Sequence, residues 1–434
     1  MSTTLSKETI ETVKATIPFL QQNGLALTEH FYRRMFAGNP EVKEYFNVSN
    51  QASGAQQGAL GGAICAFAQN IETPENLADA VSLISNKHAS LGIKPEHYPI
   101  VGEHLLGSID DLLNPAPPEI LAAWGEAYGF LAGVLIGAEE AIYTQQAEQP
   151  AGWNGFKDLE VFKREQESNL ITSFYLRAKD GSNLPSFKSG QYLTVRVPTA
   201  DAPVASGCPF SGAKAVTTTM RNYSLSGSPT WDHYRISVKH EVPRHADTPE
   251  GYASTYLHTQ VKVGDTLEIA PPCGDFFLNQ HSAETPILLL SGGVGITPVL
   301  SMLHSVKANP VTFLHGAINS ENHALRDEVL SLAEQNENIS AHFRYSAPTD
   351  ADAQNQPHHS TGLFTTEFLS DFITADTEIY FCGPKAMMQH IYKKQKTFML
   401  RLESLFGRFP ENRISKKHSH FEQPQFFSGQ MKEA

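Results

Sequence analysis

The chain has 434 residues, too many for a single hydrophobic core, so we expect two to four domains. Its hydrophobic content of 41% and charged content of 18% are typical of a soluble globular protein. The formal net charge of −13, from 33 basic and 46 acidic residues, argues against nucleic acid and against an anionic membrane surface as partners.

The cysteines and the N-terminus indicate the compartment. The four cysteines lie far apart and form no C-x-x-C pair, so neither a disulfide framework nor a zinc site is predicted. The N-terminus has no basic segment followed by an apolar one, and no apolar run approaches the ~20 residues that span a bilayer. We therefore expect a cytoplasmic protein without a signal peptide or a transmembrane segment.

Residues 1–148 show the apolar spacing of helices only. The predicted helices lie at residues 12–20, 25–36, 57–70, 77–91, 99–113 and 118–143. Turn signals separate them, the first of which is Asn23-Gly24. The Pro- and Gly-containing stretch at residues 150–155 is typical of a linker between domains.

The remaining chain divides into two further units. Residues 152–280 carry short alternating segments at 159–165, 170–178, 191–197, 221–226 and 234–238, which predict a small antiparallel β-barrel, with a long loop at 199–219. Residues 284–396 alternate strands with helices, from a strand at 287–290 to a helix beginning near 385, and predict a parallel α/β sheet. Residues 397–434 form a tail to which no element is assigned.

His88 is a candidate metal ligand. It shares one face of its predicted helix with Leu77 and Ile84, where a histidine is more often a hydrogen-bonded core residue. Tyr98 and Glu139 could accept the second imidazole N–H. Such a contact would fix the tautomer and make the ring a stronger electron donor.

A second group of residues can form a pocket. Tyr32 shares a helix face with Met35, as a core tyrosine would; the alternative is a phenol directed at a bound gas. Gln56 and Leu60, four residues apart, and Phe46 can supply polar and apolar walls for the same pocket.

The helical unit carries a set of motifs in a defined order. They are HFYRRMF (30–36), NPE (39–41), YFN (45–47), KH (87–88), IKP (93–95), VGEHLL (101–106), AWG (123–125) and EEAIY (139–143). In order and spacing they resemble the globin domain of bacterial and yeast flavohaemoglobins. The resemblance implies that His88 is the proximal haem ligand and that Tyr98 and Glu139 form its hydrogen-bond network.

The same resemblance implies roles for the residues around the haem. Tyr32 and Gln56 would line the distal side, and Leu60 and Phe46 would pack on the haem. Lys87 would neighbour the proximal site.

The strand-like segment Arg221-Asn222-Tyr223-Ser224 suits a flavin. An Arg can neutralise pyrophosphate, a Tyr ring can lie on the isoalloxazine, and a Ser hydroxyl can bond a ring atom. An ordinary half-exposed strand is the alternative. With the segments at 190–192, 238–241, 251–257 and 274–277, however, the order resembles the FAD domain of the ferredoxin-reductase superfamily. The implied flavin site comprises Tyr192, Arg221, Asn222, Tyr223, Ser224, Gly251 and Ser254. Asn222 stands where flavohaemoglobins often have Gln or Glu.

A glycine-rich turn follows the strand at 287–290 and predicts a dinucleotide site. Together with the later Cys-Gly-Pro, it matches the reductase superfamily, which implies nucleotide contacts from both segments. The implied residues are Gly292, Gly293, Val294, Gly295, Thr297, Pro298, Cys382, Gly383 and Pro384. Residues 315–321 contain no Arg or Lys to hold a 2′-phosphate, which favours NADH over NADPH.

The tail departs from the family pattern. Flavohaemoglobins end soon after Cys-Gly-Pro at a Glu-x-Phe-Gly-Pro motif whose aromatic ring lies by the flavin. Residues 397–434 lack that motif, which raises the hypothesis of an altered reading frame near residue 396 or of an insertion.

The resemblance implies a nitric oxide dioxygenase with haem b, FAD and NAD(P)H, NADH being favoured, and we expect a monomer. NAD(P)H would pass a hydride to FAD, which would reduce the haem by single electrons, and nitric oxide and dioxygen would be converted to nitrate. Two alternatives stay open: a haem gas sensor or carrier, and a flavin reductase that acts on another acceptor.

Overall fold

The computed structural model describes residues 4–46, 54–199, 218–243, 250–280, 282–374 and 376–391. In chain order these residues form a helical unit, an antiparallel barrel and a parallel sheet with helices, which confirms the predicted fold class. Most of the predicted loop at 199–219 and all of the tail at 397–434 lie outside the described residues.

The helical unit has an apolar core to which Phe31, Met35 and Trp124 contribute. Its helices are α1 (Lys7–Ala15), α2 (Ile17–Gly38), α3 (Ala55–Gln69), α4 (Ala78–Leu91), α5 (Tyr98–Leu113) and α6 (Pro118–Glu148).

The predicted break at Asn23-Gly24 is wrong, because α2 is continuous across it. The Asn23 amide donates to the Phe19 carbonyl within the helix, at 3.1 Å. A Cβ built on Gly61 of α3 would lie 3.0 Å from the Gly24 carbonyl oxygen. The two glycines therefore let α2 and α3 approach closely, and Gly24 lies where the two helices cross.

Helix α6 is long and apolar enough to cross a membrane when judged by length and composition alone. It is the one such helix among the described residues, and the core helix of a globular protein passes the same test. Here α6 contacts α1, α4 and α5, and it carries the buried Glu139.

The barrel is a six-stranded sheet in the order β4-β3-β6-β1-β2-β5. A bridge between Leu225 and Ile236 brings the chain after β4 against β5 and closes it. Helix α7 (Tyr252–Thr259) follows β5. The strands are β1 (Lys157–Gln166), β2 (Ile171–Ala178), β3 (Tyr192–Pro198), β4 (Thr218–Ser224), β5 (Tyr234–Lys239) and β6 (Thr266–Cys273).

Strand β6 was not predicted. It contains Pro271 and Pro272, which are unusual in a central strand. The structure accommodates both prolines at an irregularity. The pairing with β3 shifts register between Tyr192, opposite Cys273, and Thr194, opposite Ala270. A bulge of this kind removes the need for the missing backbone donors.

The third unit is a five-stranded sheet in the order β10-β9-β8-β7-β11, with parallel pairs throughout. Apolar clusters cover both faces. Its strands are β7 (Ile287–Gly292), β8 (Val311–Ala317), β9 (Ile339–Tyr345), β10 (Ser360–Thr361) and β11 (Glu378–Cys382). Its helices are α8 (Ile296–Ser305), α9 (Arg326–Gln335), α10 (Asp350–Asn355) and α11 (Thr366–Ser370), and residues 385–391 are also helical.

The three units touch through specific elements. Helix α4 packs on β6 and β3 of the barrel. On another side of the barrel, buried Arg235 of β5 makes two bonds of 2.7 and 2.9 Å to the Glu328 carboxylate of α9. The barrel is thus joined both to the helical unit and to the parallel sheet.

Candidate redox site

The structure brings together the three residues of the predicted proximal network. Nδ1 of His88 on α4 lies 2.7 Å from Oε1 of Glu139 on α6 and 3.2 Å from the phenol oxygen of Tyr98. The Tyr98 hydroxyl also donates to the same carboxylate oxygen, at 2.5 Å. Burial and the neighbouring Glu139 raise the pKa of Tyr98, so it stays protonated as a donor. A Nδ1–H that donates to Glu139 leaves the lone pair on Nε2.

The surroundings of His88 fit a haem. Its side chain is 33% exposed, whereas Glu139 beneath it is 2% exposed. No described residue hydrogen bonds its Nε2. The described residues also contain no cluster of three or more His, Cys, Asp or Glu side chains that could hold a metal ion. A single histidine with a fixed tautomer beside an apolar helix core is what a haem iron requires from the protein.

Three of the four predicted distal residues, Tyr32, Phe46 and Leu60, belong to or pack on one apolar cluster. The Tyr32 ring on α2 lies 5.6 Å from the Phe46 ring, edge to face, and Leu60 of α3 packs against the same core cluster. Burial raises the pKa of Tyr32, which keeps its hydroxyl protonated. No described residue bonds that hydroxyl, so it remains a donor for a ligand. Gln56 lies half-buried in the first turn of α3, one turn before Leu60.

Lys87, predicted to neighbour the proximal site, contacts the barrel. Its ammonium donates to the Asn222 side-chain oxygen on β4, across the boundary between the helical unit and the barrel. Burial, with a smaller contribution from Arg221, lowers the pKa of Lys87 to about 8. Lys87, which precedes the predicted iron ligand, thus contacts Asn222, which follows the predicted flavin arginine.

Several residues at this boundary were missed by the sequence reasoning. Asn86 of α4 accepts from the Gly274 N–H at 3.0 Å, and the Gln146 amide of α6 donates to the Pro272 carbonyl at 3.2 Å. Ser90 of α4 accepts from Asn222 at 3.1 Å. The one feature of the sequence that could have predicted these contacts is the set of polar residues near His88. Their partners, however, are more than a hundred residues away in the chain.

The flavin segment divides between two faces of β4. Arg221 and Tyr223 alternate with Asn222 and Ser224, which lie opposite Thr194 and Tyr192 of β3. Tyr223 joins the barrel core, while the Asn222 side chain faces α4.

Arg221 fits a phosphate partner. Its guanidinium donates to the Thr219 hydroxyl at 2.8 Å and to the Met220 carbonyl at 2.7 Å. Burial lowers the pKa of this guanidinium, because a buried cation is poorly solvated. A pyrophosphate beside it would offset that desolvation.

The predicted second phosphate contact lies at the start of α7. The Gly251 N–H donates to the Glu241 carbonyl at 2.8 Å, and the Ser254 hydroxyl donates to the Gly251 carbonyl at 2.8 Å while accepting from the Glu241 N–H at 3.1 Å. These bonds fix the turn. A helix N-terminus held in this way is the kind of position that suits an anion.

The glycine-rich turn and the Cys-Gly-Pro segment are brought together. Strand β7 ends at Gly292, a short 3₁₀ turn follows, and α8 begins at Ile296. A Cβ on Gly295 would lie 2.4 Å from the Cys382 carbonyl oxygen, so only glycine allows this approach. The Thr297 hydroxyl donates to the Val294 carbonyl at 3.0 Å and holds the turn. The predicted segments therefore share one edge of the parallel sheet, where open α/β sheets bind ligands.

Comparison with known proteins identifies the family. Residues 29–135 match the globin family, and residues 289–393 match the oxidoreductase NAD-binding domain. The flavohemoprotein of Rhodopirellula baltica is 44% identical over 394 residues, which cover 89% of this chain and 93% of the relative. The chain belongs to the flavohemoprotein family.

Other flavohemoproteins agree over a similar extent. The Bacillus subtilis protein is 41% identical over 414 residues, covering 94% of this chain and 96% of its own length. The structure of the Malassezia yamatoensis flavohemoglobin, which contains bound FAD and heme, superposes with a TM-score of 0.78 at 25% identity. That similarity covers 96% of this chain and 99% of the other. The flavohemoprotein predicted from the sequence motifs is thereby confirmed.

Proposed function

We propose that this flavohemoprotein is a nitric oxide dioxygenase that converts nitric oxide and dioxygen to nitrate with electrons from NAD(P)H. The observation that carries the proposal is the Glu139–His88 contact of 2.7 Å on a helix that is itself bonded to the barrel. His88, the proposed iron ligand, would thus lie on the helix that contacts the barrel.

The proposal assigns one cofactor to each unit. Residues 1–148 would hold haem b, residues 152–280 FAD, and residues 284–396 NAD(P)H. Haem would supply a redox-active iron for dioxygen and nitric oxide, and FAD would convert a hydride into single electrons. The FAD and heme in the related Malassezia structure support both assignments.

The haem-side residues would act through hydrogen bonds. Glu139 takes the Nδ1 proton of His88 into a charge-assisted bond and so raises the basicity of Nε2. The protonated Tyr32 would donate to negative charge that develops on the gas ligand, with Gln56 as a second donor. Phe46 and Leu60 keep the remaining wall apolar, which small uncharged gases tolerate.

The reductase-side residues would bind and orient. Arg221 would pair with the flavin pyrophosphate, and Tyr223 and Ser224 would contact its ring system. The turn at Gly295 would take the pyrophosphate of the nucleotide at the start of α8. The absence of Arg or Lys from residues 315–321 supports NADH as the favoured donor.

The decisive experiment begins without oxygen. The protein loaded with haem and FAD is mixed with NADH, and the flavin and haem absorption bands are followed in time. We expect the flavin band to bleach first and the haem band then to shift to its ferrous form. Admission of dioxygen and nitric oxide should then yield nitrate in proportion to the nitric oxide consumed.

The two alternatives predict other outcomes. Flavin reduction that is unaffected by His88→Ala, with no reduction of haem in the parent protein, would indicate a flavin reductase for another acceptor. Gas binding without reduction of either cofactor, with NADPH no better than NADH, would indicate a sensor or carrier.

A further inference from the structure

We propose that Ser90 and Asn222 are positioning residues that set the rate at which electrons pass from the flavin to the haem. The inference rests on the proposed electron transfer between the two cofactors. Ser90 lies on α4, two residues after His88, and Asn222 lies on β4, between two predicted flavin residues.

A continuous set of hydrogen bonds connects the two elements. The Asn222 amide donates to the Ser90 hydroxyl at 3.1 Å, and that hydroxyl donates to the Lys87 carbonyl at 2.8 Å. This carbonyl belongs to the peptide group that joins Lys87 to His88. Two hydrogen bonds thus lead from a side chain of the flavin strand to the backbone of the iron-ligand residue.

The orientation of the Asn222 amide is fully determined. Its second N–H donates to the Thr194 hydroxyl at 2.8 Å, and its oxygen accepts from the Lys87 ammonium. Ser90 and Thr194 are 1% and 0% exposed, so water does not replace these bonds. Because both N–H groups and the oxygen are engaged, rotation of the amide would break all three contacts.

Flanking contacts keep α4 seated on the barrel. The Asn86 amide oxygen accepts from the Gly274 N–H at 3.0 Å on one side of His88. On the other side, Ala89 packs with Tyr192 and Cys273 in a buried cluster. Ser90 therefore lies inside a closed interface, where a short, fixed connection can define the separation of the two redox groups.

The ammonium of Lys87 offers a second connection from Asn222, but a less direct one. It reaches the backbone only through a flexible chain of four methylene groups. Electronic coupling between two redox groups weakens with each bond that separates them. A connection also fixes their positions less well with each rotatable bond it contains. We therefore assign the coupling to the Ser90 branch.

The test compares Ser90→Ala with Ser85→Ala. Both serines lie on α4 and are 1% exposed, and among the described residues Ser85 bonds only the Val81 carbonyl of its own helix. After anaerobic mixing with NADH, we expect Ser90→Ala to leave flavin reduction unchanged. Haem reduction should slow by a factor of roughly 3 to 10. This is the factor by which the loss of one buried hydrogen bond changes an equilibrium constant. Ser85→Ala should reduce its haem at the parent rate. Ser90→Thr keeps the hydroxyl and should therefore also reduce its haem at the parent rate.

Asn222→Asp separates the two branches, because a carboxylate can still accept from Lys87 but cannot donate to Ser90. The slowing of haem reduction should match that of Ser90→Ala, and the double variant should be no slower than either single one. A separate readout needs no turnover: amide hydrogen exchange in α4 should quicken in Ser90→Ala relative to Ser85→Ala.

Three results would overturn the inference. The first is an unchanged rate of haem reduction in Ser90→Ala. The second is an equal decrease of that rate in Ser85→Ala. The third is a decrease of that rate in Lys87→Met together with a parent rate in Asn222→Asp. Nitric oxide is absent from these measurements. A protein that reduces its haem but fails to oxidise nitric oxide would contradict the proposed reaction and leave this inference standing.

Discussion

Oε1 of Glu139 lies 2.7 Å from Nδ1 of His88 and joins α6 to α4 through a carboxylate that is 2% exposed. The same oxygen accepts from Tyr98, so the carboxylate that contacts His88 has a second hydrogen-bond partner. A buried carboxylate of this kind is stable only with such partners, and it is the strongest polarising group in contact with the ring.

Replacement of Glu139 by Gln should therefore weaken the electron donation from His88. We expect the iron–histidine stretching frequency, measured by resonance Raman spectroscopy, to fall and the turnover rate to drop by about tenfold. Glu140→Gln is the matched control, because Glu140 is the next residue and is exposed. Equal effects of the two substitutions would show that the Glu139 contact does not tune the ligand.

Tyr32→Phe should speed the release of dioxygen without altering the reduction of flavin by NADH. Loss of one hydrogen bond of about 1.4 kcal/mol would raise the dissociation rate by about tenfold. Flash photolysis or stopped-flow mixing measures that rate directly. Tyr45→Phe, in the same unit but outside the predicted pocket, should release dioxygen at the parent rate. An unchanged rate in Tyr32→Phe would remove this phenol from the mechanism.

Arg221→Ala should lower the affinity for FAD and leave haem content unchanged. A charge-assisted bond is worth about 1.5–3 kcal/mol, so the dissociation constant for FAD should rise by roughly 10- to 100-fold. Equilibrium dialysis with FAD measures this constant. Arg177→Ala removes an exposed cation of the same barrel, paired with Glu160, and should retain the parent affinity. Full flavin retention in Arg221→Ala would contradict the phosphate assignment.

The parallel sheet should become less stable in mild acid because of His315. Burial lowers the pKa of this histidine from 6.5 to about 3, and its ring stacks on His323, whose pKa burial also lowers. Between these two pH values the unfolded chain takes up a proton that the folded state does not. The free energy of unfolding therefore falls as pH falls below 6.5, by about 2 kcal/mol at pH 5 for this one group.

His315→Asn tests that dependence. Urea unfolding of the variant at pH 7.5 and pH 5 should show a smaller loss of stability between the two pH values than the parent does. The changed packing should lower the free energy of unfolding of the variant at both pH values, so the difference between them is the quantity to compare. His390→Asn, at an exposed position of the same unit, should keep the parent's dependence. A parental slope in His315→Asn would show that this residue does not titrate on unfolding.

Local patterns predicted most of the helices and strands, and the family motifs predicted the partners of His88. Helical spacing predicts an inward face for His88, and the family motifs predict Tyr98 and Glu139 as its partners. The structure places these two side chains 3.2 and 2.7 Å from Nδ1 of His88. The glycine turn at Gly295 was also predicted, because its role follows from backbone geometry.

The errors arose where tertiary contacts decide the outcome. Gly24 resembles a helix break until Gly61 of a second helix is placed against it. Pro271 resembles a strand breaker until the bulge opposite β3 is known. The contacts of Asn222 with α4 connect positions more than a hundred residues apart, so no spacing rule could reveal them.

Helix α4 holds the iron-ligand candidate while its neighbouring residues bond the flavin barrel. This arrangement limits how the units can be recombined. A globin grafted onto a foreign reductase would keep His88 and Glu139 but lose the partners of Asn86, Lys87 and Ser90. A chimera that exchanges α4 together with β3, β4 and β6 should transfer electrons where a simple fusion at the linker fails.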